Sequence, residues 1–314
     1  MNIANPYITG PNAEEDRNHR LRRWASIASI FVACILIATK TAAYVMTGSV
    51  SVMTSLLDSI FDAFTSGVTM FSVMHAATPA DEEHRYGHGK IEALAALAQG
   101  VFILGSAIYL LVQSGERFIH PQPVKDADIG MWVMGLSIVL TAGLIAIQYH
   151  VIKRAGSIAI SADYLERKGD LLVNVSVLAA LVLGSFFSWP YFDPLFAGGI
   201  ALMLFYGAWK ISHDSYAVLM DRELPDEERA KIETVVKAHP KARDIHDLRT
   251  RTSGQRIFIE FHLEIDGNMS LRKAHDITEE LEALLYKEFP NADVIIHQEP
   301  AGIDDHRIDD EIKG

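Results

Sequence analysis

Apolar residues gather into six long runs over the first two thirds of the chain, and then give way to short alternating stretches. The runs cover residues 24–46, 50–74, 91–116, 129–152, 159–187 and 191–212. Each approaches the ~20 residues that a membrane-spanning helix needs. The first, third, fourth and sixth are nearly free of charge. The second carries Asp58 and Asp62, and the fifth carries a charged cluster near its start, so hydropathy alone would shorten it.

The pattern changes after residue 213, which divides the chain into a six-helix membrane domain, 1–213, and a C-terminal domain, 214–314. In the second part, Pro225 and Asp226 predict a helix start and Pro240 an end. Residues 245–251 and 257–265 flank Ser253-Gly254, a hairpin signal. Ile257, Ile259, Phe261, Leu263 and Ile265 alternate with Glu260, His262 and Glu264, which predicts a strand with one buried face. A helix follows over 270–289 with Ser270 as N-cap, then a last strand over 291–299. The order αββαβ predicts a small sheet with helices on one face. The fold class is therefore an α-helical membrane protein with six transmembrane helices plus a small α+β domain.

Charge sets an orientation. Arg17, Arg20, Arg22 and Arg23 precede the first run. Arg85 and Lys90 lie between the second and third, Lys153 and Arg154 between the fourth and fifth. The other side has Arg117 and Lys125. The positive-inside rule places both termini in the cytoplasm of a multi-pass protein, and the long first run reads as a retained helix. Net charge is -12, and the last 101 residues, with 24 acidic against 14 basic side chains, hold -10 of it. Such a tail argues against nucleic acid and anionic lipid surfaces and suits a cationic partner. Cys34 is the lone cysteine, so no intrachain disulfide forms and thiolate metal sites are excluded.

Three groups of residues carry candidate chemistry. Asp58 and Asp62 share one helix face at i, i+4, as do Glu166 and Asp170. Carboxylates in a bilayer are costly and face a bundle interior or a pathway. Four oxygen donors converging there would suit a divalent cation. The second and fifth runs are antiparallel, so Asp58 falls level with Asp170 and Asp62 with Glu166. Arg167 and Lys168 are expected to leave on other faces and snorkel. Lys40, mid-run in the first helix, needs a carboxylate or backbone oxygen as partner. The second group, Asp81, His84 and His88, could wrap one ion in a short loop in which Gly87 and Gly89 ease the backbone path. The third is histidine-rich. His246 and His262 could be cross-strand neighbours, His297 and Glu299 share a face, His275 projects from the helix, and His306 lies beyond the regular elements. Imidazole with carboxylate is a normal donor set for zinc or ferrous iron.

Asp-xxx-Asp in the second run, His-Arg-Tyr-Gly-His-Gly-Lys-x-Glu before the third, a polar residue four before Asp170 in the fifth, His-Asp-Leu-Arg-Thr-Arg and Val-Ile-Ile-His-Gln-Glu-Pro together resemble the cation diffusion facilitator family, most closely its bacterial iron/zinc efflux branch. The resemblance runs from about Leu21 to Pro300. It implies a homodimer in the bacterial inner membrane that exports divalent metals (Zn2+, Fe2+, Mn2+ or cadmium) in exchange for protons, with a metallochaperone-like cytoplasmic domain. It implies a transport site of Asp58, Asp62, Glu166 and Asp170, and a loop site of Asp81, His84 and His88. It implies a binuclear cytoplasmic site of His246, His262, His275, His297, Gln298 and Glu299 at the dimer interface. Lys90 and Asp221 match charged residues near the membrane–tail junction. Two positions depart from the pattern: Glu166 stands where zinc-preferring members carry His, and Glu299 where close relatives carry Asp. A passive metal channel or membrane metal sensor is the alternative. A membrane metallohydrolase is disfavoured because the chain lacks an HExxH motif.

Overall fold

A computed structural model describes residues 13–48, 50–120, 128–187, 191–302 and 307–313. Lys125 and His306 lie outside them. The chain divides into two compact units, one of the six long helices and one of the C-terminal domain together with residues 80–89.

The six runs form α1 (Ala13–Thr47), α2 (Val50–Ala76), α3 (Ile91–Ile119), α4 (Asp128–Ala155), α5 (Ile158–Phe187) and α6 (Phe192–Leu219). Their cores match the apolar runs, but α1 starts eleven residues before its run and α6 ends seven after. Hydropathy marks where a helix meets lipid. Helix-forming residues such as Ala13, Glu14, Arg17 and Arg20 prolong the same helix into water. Among the described residues, α1, α3, α4 and α6 are long and apolar enough to span by composition alone. In α2, Asp58 and Asp62 lower the mean hydropathy. Phe64, Phe71, Val101, Tyr109, Val139 and Leu202 are exposed on helix surfaces, as lipid-facing positions require.

Small residues let these helices pack closely. Ala107 and Ala208 are fully buried with Ile103, Leu165 and Leu204 between α3, α5 and α6. A buried polar brace ties the α4–α5 corner. Arg22 Nη2 donates to the Ala155 carbonyl at 2.6 Å, and Nη1 to Glu92 Oε1 at 3.0 Å. Ser157 Oγ donates to Glu92 Oε2 at 2.5 Å. A helix leaves its last carbonyls without partners. Arg22 satisfies one of them, and Gly156 takes the left-handed turn after α4 at φ 54.

The C-terminal unit consists of α7 (Asp226–Lys237), β1 (Asp244–Ser253), β2 (Arg256–Ile265), α8 (Leu271–Glu288), β3 (Ala292–Pro300) and α9 (Ile308–Lys313). The order αββαβ matches the expectation, and the sequence reading omits the short α9. The sheet order is β1-β2-β3, with β1–β2 antiparallel and β2–β3 parallel. Ser270 caps α8 by accepting from the Lys273 N–H. The alternating strand buries Ile259, Phe261, Leu263 and Ile265 against Ile277, Leu281 and Leu285 of α8 and Ile232 and Val236 of α7. The opposite face carries Glu260, His262 and Glu264 of β2, with Phe258 on the same side.

Residues 80–89 dock on the hairpin. The Arg251 guanidinium lies 4.4 Å from the Tyr86 ring centre and 4.4 Å from that of Phe258. The two rings meet edge to face at 5.4 Å. Gly89 approaches so closely that a Cβ there would collide with the backbone of Ser253 and Gly254. Backbone cannot yield as a side-chain tip can. Gly89→Ala is expected to push the loop off the hairpin and cost about 1–3 kcal/mol, read as a lower melting temperature of the purified protein.

Candidate metal sites

The intramembrane carboxylates are organised around an arginine. Asp163, Glu166, Arg167 and Asp170 recur at i, i+3, i+4 and i+7 of α5 and therefore share one face. Arg167 is buried. Its Nη1 lies 2.8 Å from Asp62 Oδ2 and 3.8 Å from Asp170 Oδ2. Its Nη2 donates to the Asp62 carbonyl at 2.7 Å and to Ser66 Oγ at 2.8 Å. Its Nε lies 3.7 Å from Asp163 Oδ1. The expectation that Arg167 snorkels on another face is corrected: its stripe points inward, where carboxylates compensate its charge.

Asp163, which the sequence reading passes over, is the best-satisfied carboxylate of the set. Ser29 Oγ, Ser66 Oγ and Gln148 Nε2 donate to it at 2.8, 2.9 and 2.5 Å. A buried carboxylate with this many donors is a structural anchor for α1, α2, α4 and α5. Glu166 and Asp170 differ. Glu166 Oε2 and Asp170 Oδ2 are buried and accept no hydrogen bond. Asp58 is exposed one turn before Asp62. Lys40 finds its partners on α2, donating to the Ser55 carbonyl at 2.9 Å and Ser59 Oγ at 2.6 Å. It lies within electrostatic reach of Asp62, Asp58 and Asp170. The four carboxylates do not close on one point. Among the described residues, acidic or imidazole ligand atoms gather in threes within 4.8 Å only at Asp81–His84–His88 and at His246–Asp247–His262.

In the loop, Asp81 Oδ1 accepts the backbone N–H groups of Glu83 and His84 at 3.0 and 2.6 Å. His84 Nδ1 and His88 Nε2 lie 3.6 and 3.4 Å from its two oxygens. The His84 N–H, chiefly, holds the Asp81 carboxyl below its ordinary pKa. Asp81 thus presents charge to two imidazoles whose centres are 4.7 Å apart.

In the C-terminal unit, register builds a histidine row on the sheet face away from α8. His246 stands opposite His262, and His262 opposite His297. Ring centres are 5.2 Å and 4.8 Å apart. Glu299 reaches all three, with oxygens 3.1 Å from His246 Nε2, 2.9 Å from His262 Nδ1 and 3.5 Å from His297 Nε2. Within this chain Gln298 turns the other way. The pleat puts it beside buried Leu263, and it donates to Thr278 Oγ1 on α8 at 3.2 Å. His275 stays outside the row, exposed on α8 and 3.4 Å from Glu279. Asp221 pairs with Arg251 at 3.5 Å, and Lys90 is the N-cap of α3.

Asp247 is the ligand candidate that alternation hides. A bulge between His246 and Arg249 inserts one extra residue, and Asp247 takes φ 52. The bulge re-aims its side chain to join His246 and His262. Asp247 Oδ1 accepts the Asp309 N–H at 3.0 Å, and Asp309 Oδ2 accepts the Asp247 N–H at 3.3 Å. Arg307 donates to Glu264 at 2.5 Å beside them. Burial alone would raise the Asp247 pKa, but the N–H groups of Asp309 and Ile308, with His246 and His262, outweigh it and hold the carboxyl below its ordinary value. The contribution of Asp247 to docking α9 is therefore full above the ordinary aspartate value, ~3.9. It is lost only as pH falls through the lowered folded-state value. The hydrogen bond from the Asp309 N–H is expected to persist from neutrality to about pH 4 and to be lost below it, read as loss of exchange protection at that amide. A midpoint above that value would break the assignment.

These donors fit divalent metal. His246 Nδ1 is buried without a hydrogen-bond partner, and imidazole with carboxylate is the donor set that borderline transition ions take.

A family model described as the cation efflux transmembrane domain matches residues 26–220, and one described as the cytoplasmic domain of cation efflux proteins matches residues 224–301. The cation-efflux pump FieF of Shewanella oneidensis is 43% identical over 280 residues, 89% of this chain and 94% of that protein. The FieF pump of Klebsiella pneumoniae is 41% identical over 284 residues, 90% of this chain and 94% of its own length. A solved metal-bound C-terminal domain of the CzcD transporter from Thermotoga maritima is 31% identical, spans 26% of this chain and all of that one, and superposes with a TM-score of 0.25.

Proposed function

The chain belongs to the cation efflux family, and from that premise we propose that it exports divalent transition-metal ions by exchanging them for protons. It is a transporter rather than an enzyme. The ion is bound by Asp58, Asp62, Glu166 and Asp170, with zinc, ferrous iron, manganese and cadmium as candidates. One observation carries this reading: Glu166 Oε2 and Asp170 Oδ2, four residues apart in a spanning helix, are buried with no hydrogen-bond partner. Glu166 Oε2 calls for a cation or a proton, and so does Asp170 Oδ2, to which the Arg167 guanidinium comes no nearer than 3.8 Å. A group that takes either one in turn couples the two flows.

Both termini face the cytoplasm of a bacterial inner-membrane protein, and two copies associate through their C-terminal domains. Asp81, His84 and His88 concentrate ions at the cytoplasmic entrance. His246, His262, His297 and Glu299, joined by Asp247, hold regulatory metal, and His275 and Gln298 complete this site in the dimer. Metal there relieves repulsion between two acidic domains.

Proteoliposomes test the exchange. Acid on the loading side is expected to slow transport, because protons compete for the same oxygens, and acid on the release side to speed it. Zinc, ferrous iron, manganese and cadmium are compared in parallel. A flux that answers identically to acid on either side would favour a passive channel, and metal binding without flux would favour a sensor.

A further inference from the structure

Arg167 is the feature of the membrane unit that exchange between metal and protons leaves unexplained. A transport site for a divalent cation gains nothing from a resident positive charge, and a guanidinium cannot lose its proton in a protein. Yet Arg167 is buried among the proposed ligands. Its Nη1 lies 2.8 Å from Asp62 Oδ2 and 3.8 Å from Asp170 Oδ2, reaching one carboxylate on α2 and one on α5. An ion shared by those two carboxylates would need the same place, because metal–oxygen bonds of about 2.0–2.2 Å leave no room for a guanidinium nitrogen between them.

Arg167 also has somewhere else to stay. Its Nη2 is held by Ser66 Oγ and the Asp62 carbonyl, and its Nε lies 3.7 Å from Asp163 Oδ1. Asp163 is itself anchored by Ser29, Ser66 and Gln148. The guanidinium can therefore give up Asp62 and Asp170 and keep a carboxylate partner one helical turn away, without being left as an unpaired buried charge. A second arrangement of this side chain, on Asp163, is thus within its reach.

Resting on the reading of Asp58, Asp62, Glu166 and Asp170 as the transport site, we propose that Arg167 is a tethered competitor of the transported ion. Its guanidinium bridges Asp62 and Asp170 when no metal is bound, and a divalent cation binds these carboxylates only by displacing it toward Asp163. This lowers affinity for metal and assists release. It also keeps the metal-free site compensated while the protein returns to load again.

The test uses full-length protein carrying His84→Ala, His246→Ala and His262→Ala, so that binding of Mn2+ followed by electron paramagnetic resonance reports the membrane site. Arg167→Gln is expected to tighten Mn2+ binding by about tenfold, since metal no longer breaks a charge-assisted pair. Arg167→Lys keeps a competing charge and should stay near the parent. In Arg167→Ala, added guanidinium chloride at millimolar concentration should weaken Mn2+ binding, while leaving the parent unaffected. A structural role alone would not produce that competition. Unchanged or weaker binding in Arg167→Gln, with Asp62→Asn abolishing binding, overturns the competitor and leaves the site standing. Binding that survives Asp62→Asn overturns the site and the competitor with it. If the neutral variants do not fold, the parent decides alone: with arginine Nε labelled by 15N, saturating Zn2+ should shift the Arg167 resonance, and an unmoved resonance overturns the proposal.

Discussion

Asp62→Asn is expected to reduce transport by at least about a hundredfold while the protein expresses, inserts and associates normally. An amide keeps an oxygen for Arg167 Nη1, which lies 2.8 Å from Asp62 Oδ2, but it loses the charge that draws in a divalent ion. A hard cation pays heavily for a carboxylate exchanged for a neutral donor in a water-poor site, and two lost factors of ten correspond to about 2.8 kcal/mol. Asp62→Ala is expected to remove transport equally and to cost stability as well. From the sequence alone an alanine looks harmless to packing. The ion pair with Arg167 changes that, because alanine leaves a buried guanidinium without its nearest carboxylate. The cost is about 1–3 kcal/mol rather than the full penalty of a broken buried pair, since Asp163 and Ser66 remain. Flux in proteoliposomes, paired with melting temperatures of both variants, separates the two effects. Parental flux in Asp62→Asn would remove this residue from the transport site.

The contrast between the two variants shows where the sequence is legible. Six helices can be read directly, because a spanning helix needs an uninterrupted apolar run. Even α2, interrupted by Asp58 and Asp62, and α5, with its charged start, declare themselves through carboxylates spaced on one face. The β2 alternation gives its buried face, and the Ser253-Gly254 turn gives the hairpin. Arg167 is read wrongly for an identifiable reason. Glu166 and Asp170 are read as a pair, and the charges between them as bystanders. Taken as a stripe, Asp163, Glu166, Arg167 and Asp170 have the 3.6-residue period of one inward face. Asp247 is different. Its inclusion with His246 and His262 depends on a bulge, and the period-2 rule places neighbours such as His246 and Asp247 on opposite faces. Nothing local in the sequence marks that extra residue. Gln298 is the converse case, since within one chain it lies on the other side of the sheet from the histidine row. The pleat that brings His297 and Glu299 together necessarily turns Gln298 toward Thr278. The α9 helix is too short to carry a period, and what fixes it is the long-range exchange of hydrogen bonds between Asp247 and Asp309.

Glu166→His is expected to shift transport preference toward zinc and cadmium, and away from manganese and ferrous iron, by about tenfold. Glu166 presents a buried oxygen with no hydrogen-bond partner, within electrostatic reach of Asp62, Asp163 and Asp170. With glutamate, the proposed donor set is all oxygen and carries one more negative charge. That composition suits the harder ions, for which charge and oxygen count matter most. Imidazole offers a borderline nitrogen, which zinc and cadmium prefer, and removes a charge that manganese and ferrous iron use. Both changes act in the same direction. A tenfold change in relative rate is about 1.4 kcal/mol, a modest demand on one exchanged ligand in four. The change also leaves the ion pair and hydrogen bonds of Arg167 to Asp62 and Ser66 in place, although it removes one of the charges within electrostatic reach of the guanidinium. Initial rates for the four ions in the same vesicle preparation check this, because a ratio is independent of how much protein inserts. An unchanged ratio with unchanged total flux would mean that residue 166 does not touch the ion, and the site would then have to be rebuilt from Asp58, Asp62 and Asp170 alone.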